Sequence, residues 1–458
     1  MERLGGLDAV FLAIEGPVSP MNIGSVGIFD GPAPSLASVL SAVASKIALV
    51  PRCRQRVRES WLGIARPMWI DDAGFEFSDH VHHVVLPSDD PDALERFVER
   101  VMVQPLDRGR ALWEMWVVEG LGDGRWAIVS KMHHCMIDGI AGTDLLTLVM
   151  DSDPDVEHPP VKLPTATREP TAVESMRFSS VMIARSVRAH LRHLAHSVTH
   201  PRATWDRLRD IVAGGRGLWL QPSRRDSPLT GPIGPDRRWA HTRVSLGDVA
   251  TIRHTFGGTV NDVVLAAVAR GFRELLAARQ QPLDDRTVMA LVPVSTRTAD
   301  QRGRLDNRVA VTHALLPVGI DDPVETYRAI RRHLDEVKAS HQTDASTVLL
   351  HTGDYTPHPI AAAVARAVVR IQQNIETIAT NVPGPRTPMY LCGRRMIEMY
   401  PFAPIAGQIR IAIAIWSYSG VLFLGMTGDR DSTTDLDTLV LGIDHGLDAL
   451  LAEAGATA

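Results

Sequence analysis

Residues 131–142 read KMHHCMIDGIAG, with two adjacent histidines placed ahead of an Asp-Gly pair. Successive side chains of a strand point to opposite faces, so only one of His133 and His134 can face a given cleft. The other packs or hydrogen-bonds behind it. A neutral imidazole, with an ordinary pKa of about 6.5, suits general-base work near neutrality and typically contributes about 10²–10⁴-fold in rate. Asp138 suits a helix start and can also fix an imidazole's orientation, directly or by pinning the loop through an arginine. Gly139 permits a turn conformation closed to other residues.

Two further readings stand beside the base. One is a metal site, against which count the divergence of adjacent histidines and the lack of HExxH or a distant ligand at metal spacing. The other is a buried structural pair with a capping aspartate. If one of the two histidines is a base, its target needs naming. The chain carries no GxSxG elbow, and Cys135 follows where a strand turns it away from His134, so no protein nucleophile is evident. Such a base deprotonates a substrate hydroxyl or amine, which attacks a second bound substrate directly.

The elements that must position these residues follow from periodicity. RWAIVSKM (125–132) reads as a buried strand running into the histidines, and IAGTDLLTLVM (140–150) as the helix after them. SVLSAVASKIAL (38–49) has helical spacing. Residues 151–171 hold five prolines and several acids, the composition of a linker. From Arg177 to Arg225 ten arginines and two aspartates give 10 − 2 = +8, so the remainder of a chain of net charge −5 sums to −13. Val187, Leu191, Leu194 and Val198 fall on one face of this Arg-rich helix, either a bridge with a solvated basic side or an interfacial helix drawn to phosphates or anionic lipid. Beyond residue 235 the alternation resumes, with a helix over 261–278 opened by an Asn-Asp cap, a buried strand over 287–294 and a helix over 324–339. The uncharged run at 411–427 contains Ser-Tyr-Ser-Gly, which predicts two strands and a turn rather than a membrane span.

At 458 residues the chain exceeds one comfortable core, and its 45% hydrophobic and 22% charged content is that of a globular protein. Net charge −5 argues against a nucleic-acid partner. Cys53, Cys135 and Cys392 lie far apart without CxxC spacing, as in a reduced cytosolic protein with no disulfide frame or zinc ribbon. No signal peptide is read at the N-terminus. The expected location is cytoplasmic.

HHCMIDG matches the HHxxxDG signature of CoA-dependent acyltransferases, a superfamily that includes chloramphenicol acetyltransferase and peptide-synthetase condensation domains. Its surroundings narrow the resemblance. GLDAVFLAIEGPVSPMNIGSVGIFDG, PLDRGRALWEMWVVEGL, NDVVLAAV (261–268), LVPVSTR (291–297), DNRVA (306–310), TNVPGP (380–385) and SYSG (417–420) occur in that order and cover nearly the whole chain. Together they resemble the bacterial wax ester synthase/diacylglycerol acyltransferase family, the triacylglycerol synthases of actinobacteria most closely.

The resemblance implies an α/β fold of two chloramphenicol-acetyltransferase-like domains, mixed sheets flanked by helices, joined by a helical crossover with an active-site tunnel between them. The expected division is an N-terminal domain at 1–150, linker and crossover helix at 151–234, and a C-terminal domain at 235–458. His134 would be the base, supported by His133 and by Asp138 paired with an arginine such as Arg297. Gly139, Asn261, Asp262, Thr380 and Asn381 would line the substrate site, with Asn261 and the Thr380-Asn381 pair as oxyanion donors; Asn261-Asp262 as a helix cap alone is the rival reading. Long-chain acyl-CoA would be co-substrate and diacylglycerol or a fatty alcohol the acceptor. No permanent cofactor and no metal are implied. A peripheral place on the membrane or a lipid droplet is the implied setting. Rivals are an acyltransferase for another hydroxylated lipid and a catalytically idle paralogue that binds acyl-CoA or lipid. Two departures from the family pattern are Ala111 in place of proline before Leu112-Trp113, and Thr230 in place of asparagine before Gly-Pro-Ile.

Overall fold

The computed structural model describes residues 2–60, 63, 65–87, 90–136, 145–159, 161, 163–177, 180, 181, 184, 188, 227–295, 309–339, 358–372 and 374–457. Val187, Leu191, Leu194 and Val198 of the Arg-rich helix lie outside them.

Two six-stranded mixed sheets organise the chain. The first is ordered β12 (Tyr390–Leu391), β13 (Arg394–Phe402), β2 (Asn22–Phe29), β7 (Trp126–His133), β6 (Trp113–Glu119), β5 (Val81–Val85). The second is ordered β10 (Val309–Leu316), β9 (Val288–Ser295), β11 (Thr377–Pro383), β14 (Ile411–Tyr418), β15 (Val421–Asp429), β8 (Arg237–Ser245). A small sheet sets β4 (Met68–Asp71) between β1 (Glu2–Arg3) and β3 (Gln55–Arg58). The α-helices whose bounds fall among the described residues are α1 (Gly6–Ile14), α2 (Leu36–Ile47), α3 (Ala93–Met102), α4 (Leu145–Val149), α5 (Leu246–Phe256), α6 (Val260–Ala278), α7 (Pro323–Ala339), α8 (His358–Ile371) and α9 (Leu436–Thr457). Among the described residues no helix is long and apolar enough to cross a membrane.

Local physics accounts for these elements. β7 and β14 are near-continuous apolar runs because they sit inside their sheets, buried on both faces. The 411–427 run divides as the turn residues predict, with Ser419 (φ 44°) and Gly420 (φ 86°) both left-handed between β14 and β15. Two such residues in succession give the hairpin turn whose twist matches that of its strands. The Pro-rich stretch after residue 150 is strapped down at several points. Asp151 exchanges two backbone hydrogen bonds of 2.8 Å with Tyr390, and Glu169 pairs with Arg56 and Arg58.

The topology shows one feature that periodicity does not reveal. β12 and β13 belong by position to the second half of the chain, yet β13 pairs antiparallel with β2 in the first sheet. The first lobe's core accordingly includes Trp239, Trp416, Tyr418 and Phe423. The two sheets meet closely, since a Cβ on Gly425 of β15 would lie 1.8 Å from the Pro401 carbonyl oxygen of β13. At the other seam Glu99 of α3 accepts from the Trp239 backbone N–H of β8 at 2.9 Å and pairs with Arg430.

Candidate active site

β7 ends at His133, and the chain turns through a short 3₁₀ segment at 134–136. The backbone here is held on both sides: His133 N–H donates to Leu112 O (2.9 Å) and His134 N–H to Met21 O (2.8 Å). The 15–21 segment that supplies Met21 is itself tied to the second half of the chain. Ser19 Oγ donates to Ile405 O at 2.9 Å, and Arg237 donates to the Val18 carbonyl.

The two imidazoles have different surroundings. His133 is buried behind the strand end. Its Nδ1 accepts from Cys135 N–H at 3.1 Å, which leaves the ring proton on Nε2, 3.4 Å from Glu15 Oε1. Glu15 follows α1. Its other carboxylate oxygen accepts two bonds from Arg108, Nη2 at 2.6 Å and Nε at 3.2 Å, and Arg108 also donates to Leu12 O at 2.9 Å. Burial alone raises a carboxyl pKa, but the hydrogen bonds from His133 and Arg108 and the charge of Arg108 prevail and hold Glu15 down to about 2. Arg108, Glu15 and His133 thus form a line of charge and hydrogen bonds ending at the turn that carries His134.

His134 stacks on Phe11 of α1, ring centroids 3.7 Å apart and planes 29° apart. The residue keeps partial exposure, while its Nδ1 is buried with no hydrogen-bond partner among the described residues. Burial pushes the ring's pKa from 6.5 down to about 4; its own backbone carbonyl opposes the fall and His133 adds to it. The imidazole is therefore neutral at any physiological pH. A neutral imidazole keeps one ring N–H and offers its other nitrogen to accept a proton. The neighbouring thiol is not a competing nucleophile, because burial, reinforced by Asp8, holds Cys135 well above the usual thiol range.

The acid limb of the pH profile follows. If His134 must be neutral to act, kcat/KM for the free enzyme stays level from pH 8 to about 5 and falls tenfold per unit below about 4, not below 6.5. Replacing Phe11 by alanine readmits water, so the limb moves toward 6.5. A wild-type limb at 6.5 in initial-rate measurements would contradict this assignment.

The other expected site residues fall in three groups. Asp138, Gly139 and Arg297 lie outside the described residues. Asp262 completes a capping box at the start of α6: Thr259 N–H donates to Asp262 Oδ2 at 2.6 Å and Asp262 N–H to Thr259 Oγ1 at 3.3 Å. Its carboxylate is committed to the helix start, and Asn261 beside it is part-exposed in that first turn. Thr380 and Asn381 stand on β11, paired in parallel with Ala414 and Ile415 of β14. Phe11, Glu15 and Arg108 were not singled out from the sequence. They lie within GLDAVFLAIEG and PLDRGRALW, stretches that carry the resemblance as wholes. Trp113 is buried, its Nε1–H donating to Cys53 O at 2.7 Å. Among the described residues no group of three or more His, Cys, Asp or Glu side chains is arranged to hold a metal.

Residues 4–264 match the family model of the wax ester synthase/diacylglycerol acyltransferase catalytic domain, and residues 305–451 that of the WS/DGAT C-terminal domain. The chain is 35% identical to the probable diacylglycerol O-acyltransferase tgs1 of Mycobacterium tuberculosis (strain H37Rv) over 99% of its own length and 96% of the relative's. In fold it is similar to the wax ester synthase/diacylglycerol acyltransferase from Marinobacter aquaeolei VT8 (TM-score 0.69, 23% identity, 99% and 100% of the chains covered). It is also similar in fold to a starter condensation domain of rhizomide synthetase RzmA bound to C8-CoA (TM-score 0.57, 12% identity, 99% and 95% covered).

Proposed function

The chain belongs to the wax ester synthase/diacylglycerol acyltransferase family, and from that premise we propose that it transfers a long-chain acyl group from acyl-CoA to diacylglycerol. The products are triacylglycerol and free CoA. A fatty alcohol serves as a second acceptor, giving a wax ester.

The observation that carries this reading is the neutral, partly exposed imidazole of His134, stacked on Phe11 and backed by a carboxylate-held His133. His134 Nε2 takes the hydroxyl proton of diacylglycerol as that oxygen attacks the thioester carbonyl. The tetrahedral intermediate collapses with cleavage of the C–S bond, and the protonated His134 returns the proton to the departing CoA sulfur. Charge and atoms balance with no covalent enzyme intermediate. Burial that lowers the ring's basicity also makes its protonated form a strong acid, suited to that second transfer.

Asp138, paired with Arg297, and Gly139 hold the loop after the histidines; Asn261 and the Thr380-Asn381 pair face the developing oxyanion, where losing one donor costs about 10²–10³ in rate. Domains at 1–150 and 235–458, joined through 151–234 and sharing the β13 seam, enclose the passage in which the two substrates meet. The enzyme works at a lipid surface, on the membrane's inner face or on a droplet, because its acceptor resides there.

The test is transfer of labelled palmitoyl from CoA to diolein, to hexadecanol and to water. The expected order is diolein above hexadecanol, with water slower by about 10²-fold or more, since a water-poor site disfavours hydrolysis. Thioester hydrolysis as the main outcome, or no transfer to either acceptor, overturns the reading.

A further inference from the structure

α8 presents two unlike faces. Its inner face packs on α1, the helix that carries Phe11, and Arg366 Nη1 donates to the Ala13 carbonyl at 3.3 Å. On that side Ala362 is buried, and Val369 closes over Gly407. Its outer face should be polar if water were its only neighbour. Instead Ile360 and Val364 are each 56% exposed, with the exposed Ala363 and Ala367 completing an i, i+3, i+4, i+7 stripe. α8 contains no acidic residue and has two exposed arginines, Arg366 and Arg370. A protein of net charge −5 therefore concentrates positive charge around a bare apolar stripe, the pattern of a helix lying in a lipid interface.

We propose that the outer face of α8 docks the protein on an anionic lipid surface, with Ile360 and Val364 entering the acyl boundary and Arg370 meeting phosphate headgroups. The inference rests on the lipid-acceptor reading above and gives it a direction. Because α8 packs on α1, and α1 carries the Phe11 that stacks on His134, the docked helix and the catalytic ring share one neighbouring helix, and a diacylglycerol leaves the bilayer on the side of the base that activates it.

The experiment uses the full-length chain and vesicles of phosphatidylcholine with or without phosphatidylglycerol, read by co-flotation without substrates. The double substitution Ile360→Asp/Val364→Asp is expected to lower partitioning at least tenfold, whereas Ile360→Leu/Val364→Leu retains it. Arg370→Glu is expected to lower binding roughly fivefold on anionic vesicles and not on neutral ones. With folding controlled by melting temperature, the Asp pair should also slow transfer to vesicle-borne diolein while transfer to hexanol stays within twofold. Failure of all acyl transfer would count against the functional reading and leave the vesicle result standing. Unchanged vesicle binding by the Asp pair overturns the docking proposal, and directs attention to the exposed Val173, Met176 and Val181 at the head of the Arg-rich segment. A wild-type dimer in light scattering that the Asp pair dissociates, without a change in vesicle binding, overturns it in favour of a second copy on α8.

Discussion

Substituting His134 by alanine is expected to lower palmitoyl transfer to both diolein and hexadecanol by about 10²–10⁴-fold, the usual range for losing a positioned general base. The loss should appear in kcat and equally in kcat/KM, because the imidazole acts on the proton in flight rather than on bound acyl-CoA. Stability should change little. The side chain makes one ring stack and its buried Nδ1 has no hydrogen-bond partner among the described residues, so its removal leaves no charge uncompensated. His134→Gln, which restores bulk and polarity without basicity, should stay equally inactive. A variant retaining more than a tenth of wild-type kcat would move the base elsewhere.

The second large effect is expected at a residue that touches no substrate. Glu15→Ala removes the acceptor that Arg108 and Met21 N–H use and that faces His133 Nε2. His133 is then free to rotate, its bond to Cys135 N–H weakens, and the turn bearing His134 loses its orientation. Displacements of about 1 Å in a reacting group cost about 10²-fold, so kcat should fall roughly 10- to 100-fold with KM for acyl-CoA nearly unchanged. Glu15→Gln keeps an acceptor oxygen but not the charge that draws Arg108, and should fall between. Arg108→Lys, with one point charge in place of a two-pronged donor, should resemble Glu15→Gln. The loss of stability should stay below the about 3–5 kcal/mol of a broken buried pair, since the Arg108 side chain is 40% exposed. If kcat in Glu15→Ala equals wild type while melting temperature drops, Glu15 is structural and the positioning role is excluded.

The legible and illegible parts of this protein divide along a physical line. Elements whose own periodicity carries them were readable: the 261–278 spacing appears as α6, the 287–294 run as β9 and the 324–339 spacing as α7, each within a residue. The hairpin at Ser419-Gly420 was readable because turn chemistry is local. The histidine pair stood out because its spacing is unusual in itself. Glu15 and Arg108 did not, because an acid closing a helix and an arginine in a loop are ordinary until the fold brings them together across 93 positions. Asp262 shows the converse. Thr259-x-x-Asp262 is a local capping pattern that a closer reading at that position finds, and it explains the aspartate without recourse to substrate. The pairing of β13 with β2 was invisible, since a strand's sequence states which faces are apolar and not which partner takes its edge.

That pairing has a consequence for how the protein comes into being. β2 and β7 have both been synthesised once residue 133 emerges from the ribosome, but the strand that covers the far edge of β2 ends at residue 402, 402 − 133 = 269 residues later. At about 5–20 residues per second that is roughly 13–54 s during which an apolar edge waits open. An uncovered edge is a template for pairing with the wrong chain. Nascent copies on one messenger are therefore exposed to each other throughout that interval, and a chaperone able to shield β2 until its partner arrives would govern the yield of active enzyme.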